Sequence, residues 1–242
     1  MRKHLGRSAL AAALAATLVA GTAVPAIAGA NRGDRRLQVA LDDLHGLGIS
    51  GVQGYTRVDG EVTRARAGVG DLERGTPVPL DGHFRMGSNT KTFVSVVVLQ
   101  LVGEGRLSLD DTVERWLPGI VAGNGNDGRR ITVRQLLQHT SGLYNYTRDI
   151  SGLGSYEGYL AHRYDHYDAE DIVALAMKHE PGFAPGSQWD YSNTNYILAG
   201  MIIERVTGRT WASEARTRIF QPLGLRQTSE PGDRPSLPRP YA

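Results

Sequence analysis

The sequence contains no cysteine among its 242 residues. This absence excludes disulfide bonds, a thiolate nucleophile, a cysteine-based zinc site and the lipobox cysteine that would tether an exported chain to a membrane. A chain of this length can bury enough apolar surface to be stable without disulfides. If the protein uses a nucleophile, that nucleophile is not a thiolate.

The sequence also lacks a strong net charge. Its 27 basic residues against 25 acidic ones give +2 at pH 7. Arg2, Lys3 and Arg7 fall within the first 28 residues, which hold no acidic residue, and removing those three from the 27 leaves 24 basic residues against 25 acidic ones. A near-neutral body has no electrostatic footprint for nucleic acid or an anionic membrane, so neither is expected as a partner.

No hydrophobic stretch is long enough to span a bilayer. The alanine-rich core from Ala9 to Ala20 is short, and Gly21 and Pro25 follow it. It comes after the basic residues of the N-terminus and before Ala26-Ile27-Ala28, the small-x-small pattern that signal peptidase accepts. This order predicts a secretory signal peptide at residues 1–28, with cleavage after Ala28 or, alternatively, after Ala30. We therefore expect a secreted or extracytoplasmic protein without a stable membrane anchor.

The body of the chain combines one hairpin with several helices. Residues 49–57 and 62–69 alternate polar and apolar side chains around Asp59-Gly60, a strong hairpin signal, and no further strand is predicted. Residues 140–190 are rich in Gly, Tyr and Asp and predict mostly irregular structure. Helices are predicted at 34–47, 88–102, just after Thr132, 195–206 and 211–220. The helix at 88–102 is apolar on all sides, which favours a position at the centre of the molecule.

Ser88-Asn89-Thr90-Lys91 begins that apolar helix. Residues three apart share a helix face, so Lys91 is expected beside Ser88. Burial and the positive end of the helix dipole both favour a neutral amine, which can accept the serine proton and make the hydroxyl nucleophilic. The alternative is that Ser88 caps the helix and Lys91 lies in solvent. Alone the S-x-x-K pattern is weak, since a chain of this length holds about one by chance.

Tyr191-Ser192-Asn193 is the second candidate motif. The phenol of Tyr191 can relay a proton between a nucleophile and a leaving group, and the carboxamide of Asn193 can hold a substrate carbonyl. The alternative is an ordinary helix start in which Ser192 or Asn193 is the cap.

Other stretches accompany the two motifs in a defined order. Their order and spacing closely resemble the serine β-lactamase and penicillin-binding family, in which S-x-x-K is a motif of known mechanism. The Y-x-N form is similar to class C β-lactamases and soluble actinobacterial carboxypeptidases, and the match runs from about residue 36 to the end of the chain. The stretches are residues 84–91, 105–111, 131–137, 139–143, 185–186 and 191–193.

The resemblance implies a three-layer β-lactamase/transpeptidase-like fold of the α+β or α/β class, with an antiparallel sheet and an all-helical subdomain, and makes residues 29–242 the N-terminal portion of a hydrolase domain. It also implies an acyl-enzyme mechanism. Ser88 would attack the amide carbonyl of a peptidoglycan stem peptide ending in D-alanyl-D-alanine, or of a β-lactam. Lys91 and Tyr191 would share the proton transfers, Asn193 would orient the substrate, and the backbone N–H of Ser88 would form half of the oxyanion hole. No cofactor or metal is implied, and a monomer is expected.

One family feature is missing. A third motif, K-T-G or H-x-G, follows the Y-x-N helix in the family, and no such motif follows Tyr191 here. We therefore expect the fold to be incomplete because its C-terminal strands are absent, and the 242-residue chain as written to fold without cooperativity and to lack turnover. Two hypotheses remain: a serine hydrolase, foremost a D-alanyl-D-alanine carboxypeptidase with a class C-like β-lactamase or an esterase as alternatives, or a non-catalytic remnant.

His162 and His166 raise a metal-site alternative, because they are four residues apart. Zinc proteases need H-E-x-x-H, and residue 163 is not glutamate. We interpret these histidines as surface loop residues and predict no metal site.

Overall fold

The computed structural model describes residues 32–150 and 154–232. The predicted signal peptide lies outside these residues. Within the described ranges, no helix is both long and apolar enough to cross a membrane. The chain forms two compact units, one ending at Gly82 and the other beginning at His83.

A β-hairpin is the centre of the first unit. β1 (Gly51–Val58) pairs antiparallel with β2 (Glu61–Asp71). The connecting Asp59 and Gly60 have φ values of 52° and 84°. Two positive φ values are the signature of the tight two-residue turn that an Asp-Gly pair favours. The predicted hairpin is confirmed, with strand bounds shifted by one or two residues.

The prediction that no further strand follows the hairpin is wrong. β3 (Thr76–Pro77) pairs antiparallel with β2 and makes a three-stranded sheet. In the second unit, β4 (Ala122–Gly123) and β5 (Asn126–Asp127) form a small hairpin. Strands of two residues are too short to show an alternating pattern, so their sequences look like turns.

One helix packs against the sheet of the first unit. α1 (Arg32–Gly46) contacts β2, and Leu41 is buried there together with Ala65 and Ala67. The predicted helix at 34–47 is therefore confirmed, and its apolar stripe forms a small core with the inner face of the sheet.

The second unit begins with the apolar helix. α2 (Thr90–Gly103) follows a 3-10 turn at Gly87–Asn89. The helix predicted at 88–102 is therefore confirmed, but it begins two residues later, after the turn that contains Ser88. Its buried side chains are Val94, Val97, Val98 and Leu101. Val96 and Leu99 are 37% and 50% exposed. The helix is thus buried on one face, and the expectation that it is surrounded on all sides is wrong for the described residues.

Two short helices follow. α3 (Val113–Trp116) leads to α4 (Val133–Gln138), which begins with a capping box. In that box the backbone N–H of Gln135 donates to Thr132 Oγ1 at 3.2 Å, and the N–H of Thr132 donates to Gln135 Oε1 at 3.0 Å. The helix predicted to start at Thr132 is confirmed.

Residues 140–190 are more helical than predicted. They contain α5 (Tyr156–His162) and α6 (Ala169–Met177). Ser155 caps α5, because its Oγ accepts a hydrogen bond from the N–H of Gly158. At the start of α6, the N–H of Asp168 donates to Asp171 Oδ2. Ser and Asp at these positions are ordinary helix-start signals, and the polar composition around them concealed both helices.

The C-terminal part contains α7 (Thr194–Thr207) and α8 (Trp211–Ala215), and a π-helical turn continues to Phe220. Gly208 ends α7 in a left-handed conformation with a φ of 74°. α7 packs against α2, α4 and α6. It supplies four fully buried side chains to the main core, and they are Leu198, Ala199, Ile202 and Ile203.

Candidate active site

Ser88 lies in the 3-10 turn directly before α2. Gly87 has a φ of +53°, a conformation that residues with a side chain rarely adopt, so glycine suits the entry to this turn. The N-cap position of α2 belongs to Asn89 rather than to Ser88. The interpretation of Ser88 as the helix cap is therefore wrong. Its side chain is exposed, so a substrate can reach the hydroxyl.

The Lys91 side chain points back along the first turn of α2 toward Ser88. Its Nζ donates to Ser88 Oγ at 3.1 Å and to Asn193 Oδ1 at 2.7 Å. It also lies 4.9 Å from the ring centroid of Tyr191 and 5.4 Å from that of Tyr196, and aromatic faces attract a cation. Lys91 is part-buried at the centre of this group rather than extended into solvent, which contradicts the solvent alternative.

Tyr191 completes a chain of hydrogen bonds to Ser88. Its hydroxyl lies 2.7 Å from Ser88 Oγ, and either oxygen can be the donor. Burial acts to raise the pKa of Tyr191, but the hydrogen bonds from Lys91 and Ser88 and the positive charge of Lys91 outweigh it, so the pKa lies below the usual 10.0. A lowered pKa favours the phenolate, which is the form of tyrosine that can accept a proton.

Asn193 stands at the N-cap position of α7 but makes no capping hydrogen bond with its side chain. Its Oδ1 accepts a hydrogen bond from Lys91 Nζ, and its backbone N–H and Nδ2 both face Asn145. Asn145 Oδ1 accepts from the backbone N–H of Asn193 at 3.2 Å and lies 3.4 Å from Asn193 Nδ2. These contacts fix which side of the carboxamide faces Lys91. Asn193 thus occupies the helix-start position of the alternative interpretation, but its side chain contacts Lys91 instead of capping the helix.

Residues 139–147 form a loop that supports the Y-x-N motif, and we call it the supporting loop. Its backbone holds the segment that leads to Tyr191, through bonds from the N–H groups of Gly182, Gly186 and Asp190 to carbonyls of the loop. Gly142 is required for this contact. A Cβ on this residue would lie 2.2 Å from the carbonyl oxygen of Phe183, and its φ is +81°.

Side chains of the two segments also interlock. Ser192 is 1% exposed, and its Oγ donates to the carbonyl of Tyr144. Thr194 Oγ1 donates to the same carbonyl at 2.6 Å. Buried Ser141 donates to Asn195 Oδ1, also at 2.6 Å. Because these buried polar groups are satisfied by one another, the position of the motif is set by the core rather than by solvent-exposed contacts.

His139 begins the supporting loop and lies beneath Tyr191. The two rings are stacked, with centroids 4.5 Å apart and an interplanar angle of 29°. His139 Nδ1 accepts a hydrogen bond from the backbone N–H of Ser192 at 3.2 Å. Burial first, and the charge of Lys91 second, hold the pKa of His139 below its usual 6.5.

The structure brings together all four residues singled out from the sequence: Ser88, Lys91, Tyr191 and Asn193. Their catalytic roles remain predictions. Two contributors were missed, namely the orienting amide of Asn145 and the ring of His139. His139-Thr140-Ser141-Gly142 was visible as a stretch of the family pattern, but the sequence alone assigned no contact to it. Nothing in the sequence around Asn145 distinguished it from a loop residue.

The histidine pair considered as a metal site lies elsewhere. His162 Nδ1 is 2.7 Å from Asp165 Oδ2, and His166 Nε2 is 3.1 Å from Asp168 Oδ1. Both histidines are exposed. Across the described residues, no group of three or more His, Cys, Asp or Glu side chains is arranged to hold a metal ion.

The arrangement around Ser88 is suited to nucleophilic chemistry. The exposed hydroxyl of Ser88 lies within hydrogen-bond distance of Tyr191 and Lys91, and either of them can take its proton. Asn193 holds Lys91 in place. A nucleophile, a base and an orienting group are the parts that acyl transfer requires.

Comparison with known proteins places the chain in a family. The family model described as Beta-lactamase matches residues 35–242. A solved structure of a D-stereospecific amidohydrolase from Streptomyces sp. is 46% identical, with a TM-score of 0.78 over 86% of this chain and 60% of that one. Helices and an antiparallel sheet are common to this fold, and the expected β-lactamase/transpeptidase-like fold class is confirmed.

Two curated relatives agree with this assignment. Esterase EstB from Burkholderia gladioli is 36% identical over 69% of this chain and 43% of its own length. Penicillin-binding protein 4 from Amycolatopsis lactamdurans is 34% identical over 71% of this chain and 42% of its own. The chain thus spans less than half the length of either relative. The match over residues 35–242 shows that the chain belongs to the β-lactamase family.

Proposed function

We propose that the protein is an exported serine hydrolase that forms an acyl-enzyme at Ser88 and cleaves amides of D-amino acids, foremost the terminal bond of D-alanyl-D-alanine peptides. The observation that carries this proposal is the continuous chain of hydrogen bonds that joins Tyr191, Ser88, Lys91 and Asn193. Each link is 3.1 Å or shorter, so a proton leaving Ser88 has an acceptor within reach.

In the acylation step, Ser88 Oγ forms a bond to the substrate carbonyl carbon, and the carbonyl π electrons move to its oxygen. The serine proton passes to Tyr191 or Lys91. Collapse of the tetrahedral intermediate breaks the C–N bond, and the leaving amine takes that proton. Water then attacks the ester in the same way and returns the proton to Ser88, which releases the acid.

The protonation state of Lys91 determines whether Tyr191 or Lys91 takes the proton of Ser88. The Tyr191 hydroxyl lies closer to Ser88 Oγ than Lys91 Nζ does, at 2.7 Å against 3.1 Å. A protonated Lys91 stabilises a Tyr191 phenolate and thereby makes the tyrosine a competent base. A neutral Lys91 can instead take the proton itself, and both routes remain within the proposal.

Asn193 is suited to hold the substrate. Its Oδ1 is engaged by Lys91 at 2.7 Å, whereas its Nδ2 has a 3.4 Å contact with Asn145. A contact of that length is weak, so an incoming carbonyl oxygen can replace it. The N–H of Asn193 Nδ2 would then donate to the substrate and align the scissile bond with Ser88.

The substrate class is supported by the relatives. One is named a D-stereospecific amidohydrolase and one a penicillin-binding protein. Both names fit a site for amides that carry a D-configured residue. An esterase is the second candidate, because a relative 36% identical to this chain carries that name.

The experiment is a substrate panel on the full-length protein, meaning a chain that also carries the C-terminal strands and the K-T-G or H-x-G motif implied by the family resemblance. Ser88→Ala is the background. It compares a peptide ending in D-alanyl-D-alanine with the same peptide ending in D-alanyl-L-alanine, a D-phenylalanine amide with its L form, a p-nitrophenyl ester and a chromogenic cephalosporin. We expect Ser88-dependent release of D-alanine and discrimination against the L forms. Cleavage of the ester alone would favour the esterase, cleavage of the cephalosporin alone would favour a β-lactamase, and no Ser88-dependent turnover would overturn the proposal.

A further inference from the structure

His139 is buried and contacts two consecutive residues of the Y-x-N motif, Tyr191 and Ser192. It is 9% exposed and adopts a left-handed backbone conformation, with a φ of 59°, at the end of α4. A non-glycine residue in this conformation is uncommon, and histidine is among those that tolerate it. This conformation ends the helix and turns the ring beneath Tyr191.

The hydrogen bond from Ser192 fixes the protonation state of the ring. A backbone N–H can donate only to an unprotonated nitrogen, so Nδ1 carries a lone pair and any ring proton is on Nε2. Asn195 Nδ2 also lies 3.3 Å from Nδ1. Two donors therefore converge on one nitrogen, and an imidazolium would face both with an N–H.

We propose that His139 is a positioning residue for acylation, whose neutral ring holds the phenol of Tyr191 against Ser88. The inference rests on the proposed function of Ser88. The ring acts at two points: its face supports the Tyr191 ring, and its Nδ1 anchors the next backbone amide, that of Ser192. Together these contacts determine where the Tyr191 hydroxyl lies.

Protonation of His139 removes the second of these supports, the acceptor on Nδ1. The imidazolium loses the acceptor for Ser192, and it places a second positive charge close to Lys91. The buried N–H of Ser192 then has no acceptor. A buried donor without a partner destabilises the folded arrangement of this segment. Acylation should therefore require a deprotonated His139 in addition to a deprotonated group that takes the proton of Ser88.

Several other groups face this ring. Lys91 approaches from α2, Asp190 and Tyr191 belong to the segment before α7, and Tyr196 stacks obliquely from α7 with a centroid distance of 5.3 Å. Asp190 acts to raise the pKa of His139, but burial and Lys91 act in the opposite direction and prevail.

Three variants of the full-length protein separate these roles. In His139→Asn, the amide oxygen replaces Nδ1 as an acceptor but does not titrate. In His139→Phe, the ring remains and the acceptor is lost. His162→Asn is the matched control, because His162 is exposed and contacts Asp165. The rate of covalent labelling by a fluorescent penicillin is measured from about pH 4.5 to 8, a range that spans the ordinary histidine pKa.

We expect His139→Phe, which loses the acceptor, to slow labelling about ten- to hundredfold, and His139→Asn, which keeps an acceptor but loses the stacked ring, to slow it less. His162→Asn should match the wild type. On the acid side, the logarithm of the wild-type rate should fall with a slope approaching two per pH unit, and that of His139→Asn with a slope of one. Wild-type rates in His139→Phe, or equal acid slopes in wild type and His139→Asn, would overturn the inference.

A second readout does not depend on catalysis. The amide resonance of Ser192 should shift as His139 protonates in the wild type, and it should not shift in His139→Asn. If the wild type forms no acyl-enzyme at any pH, the proposed function fails, and this resonance alone then decides the positioning role. A Ser192 amide that is insensitive to His139 protonation would refute that role.

Discussion

The hydroxyl of Tyr191 lies 2.7 Å from Ser88 Oγ although the two residues are 103 positions apart in the chain. Ser88 is held by the start of α2, and Tyr191 is held by the supporting loop. The distance between the Tyr191 hydroxyl and Ser88 Oγ is therefore determined by two separate parts of the second unit. A small shift of either part would lengthen the hydrogen bond and slow proton transfer.

Tyr191→Phe removes one hydroxyl and leaves the ring stacked on His139. We expect acylation of the full-length protein to slow by about two to four orders of magnitude, the usual contribution of a positioned acid or base. Tyr164→Phe is the control, because Tyr164 is 84% exposed. Stopped-flow labelling measures both rates, and a Tyr191→Phe variant that acylates at the control rate would exclude the phenol from the proton chemistry.

Lys91→Gln replaces a cation that contacts both Ser88 and Asn193. We expect a loss of acylation of at least a hundredfold, and also a higher pKa of Tyr191, since the stabilising charge is gone. Lys178→Gln, on the exposed end of α6, is the matched control. Ultraviolet titration of the tyrosines follows the second effect, and an unchanged Tyr191 pKa in Lys91→Gln would contradict the assigned cause.

Asn145→Ala removes the acceptor that orients Asn193. Because the Asn193 carboxamide can then rotate, we expect kcat to fall about tenfold while KM changes less, the pattern of a lost orienting contact. Gln227→Ala, at an exposed position, should leave both constants unchanged. If KM rises while kcat stays the same, Asn145 acts in ground-state binding instead.

The pKa of His139 also predicts a pH dependence of stability. The folded chain holds this ring below its usual pKa of 6.5, so at acid pH the unfolded chain binds more protons. The free energy of unfolding contributed by His139 is complete above about pH 6.5 and is lost as pH falls from there toward the lower folded value.

We therefore expect the urea midpoint of the full-length wild type to fall more between about pH 7.5 and 5 than that of the full-length His139→Asn variant. Other titrating groups are the same in both proteins, so the difference isolates His139. Parallel losses in the two proteins would show that His139 does not titrate differently on folding.

The sequence predicted the local parts of the site well. The Ser88–Lys91 contact follows from helix geometry, and the Asp59-Gly60 turn follows from the conformational preferences of its two residues. The meeting of Tyr191 with Ser88 could not be worked out from spacing, because it is a tertiary contact, and it came from the resemblance to a family. His139 and Asn145 were missed for the same reason, since the importance of each lies in what the fold brings against it.

The errors in secondary structure have a related cause. α6 was hidden in a polar region because its start depends on Asp168 and Asp171, which composition alone assigns to a loop. β3 is recognisable only through its partner, β2. α2 was predicted to be buried on all sides because Val96 and Leu99 are apolar. Both side chains are exposed among the described residues, since apolar character alone does not determine burial.

The identity of the nucleophile is the central claim, and one measurement tests it directly. The full-length protein is incubated with a fluorescent penicillin, digested, and analysed by mass spectrometry for the modified peptide. The account predicts a single adduct on Ser88, lost in Ser88→Ala and retained in Ser95→Ala. Ser95 is the control because it also lies in α2, where its hydroxyl contacts that of Tyr196 in α7. An adduct on another residue, or undiminished labelling of Ser88→Ala, would contradict it.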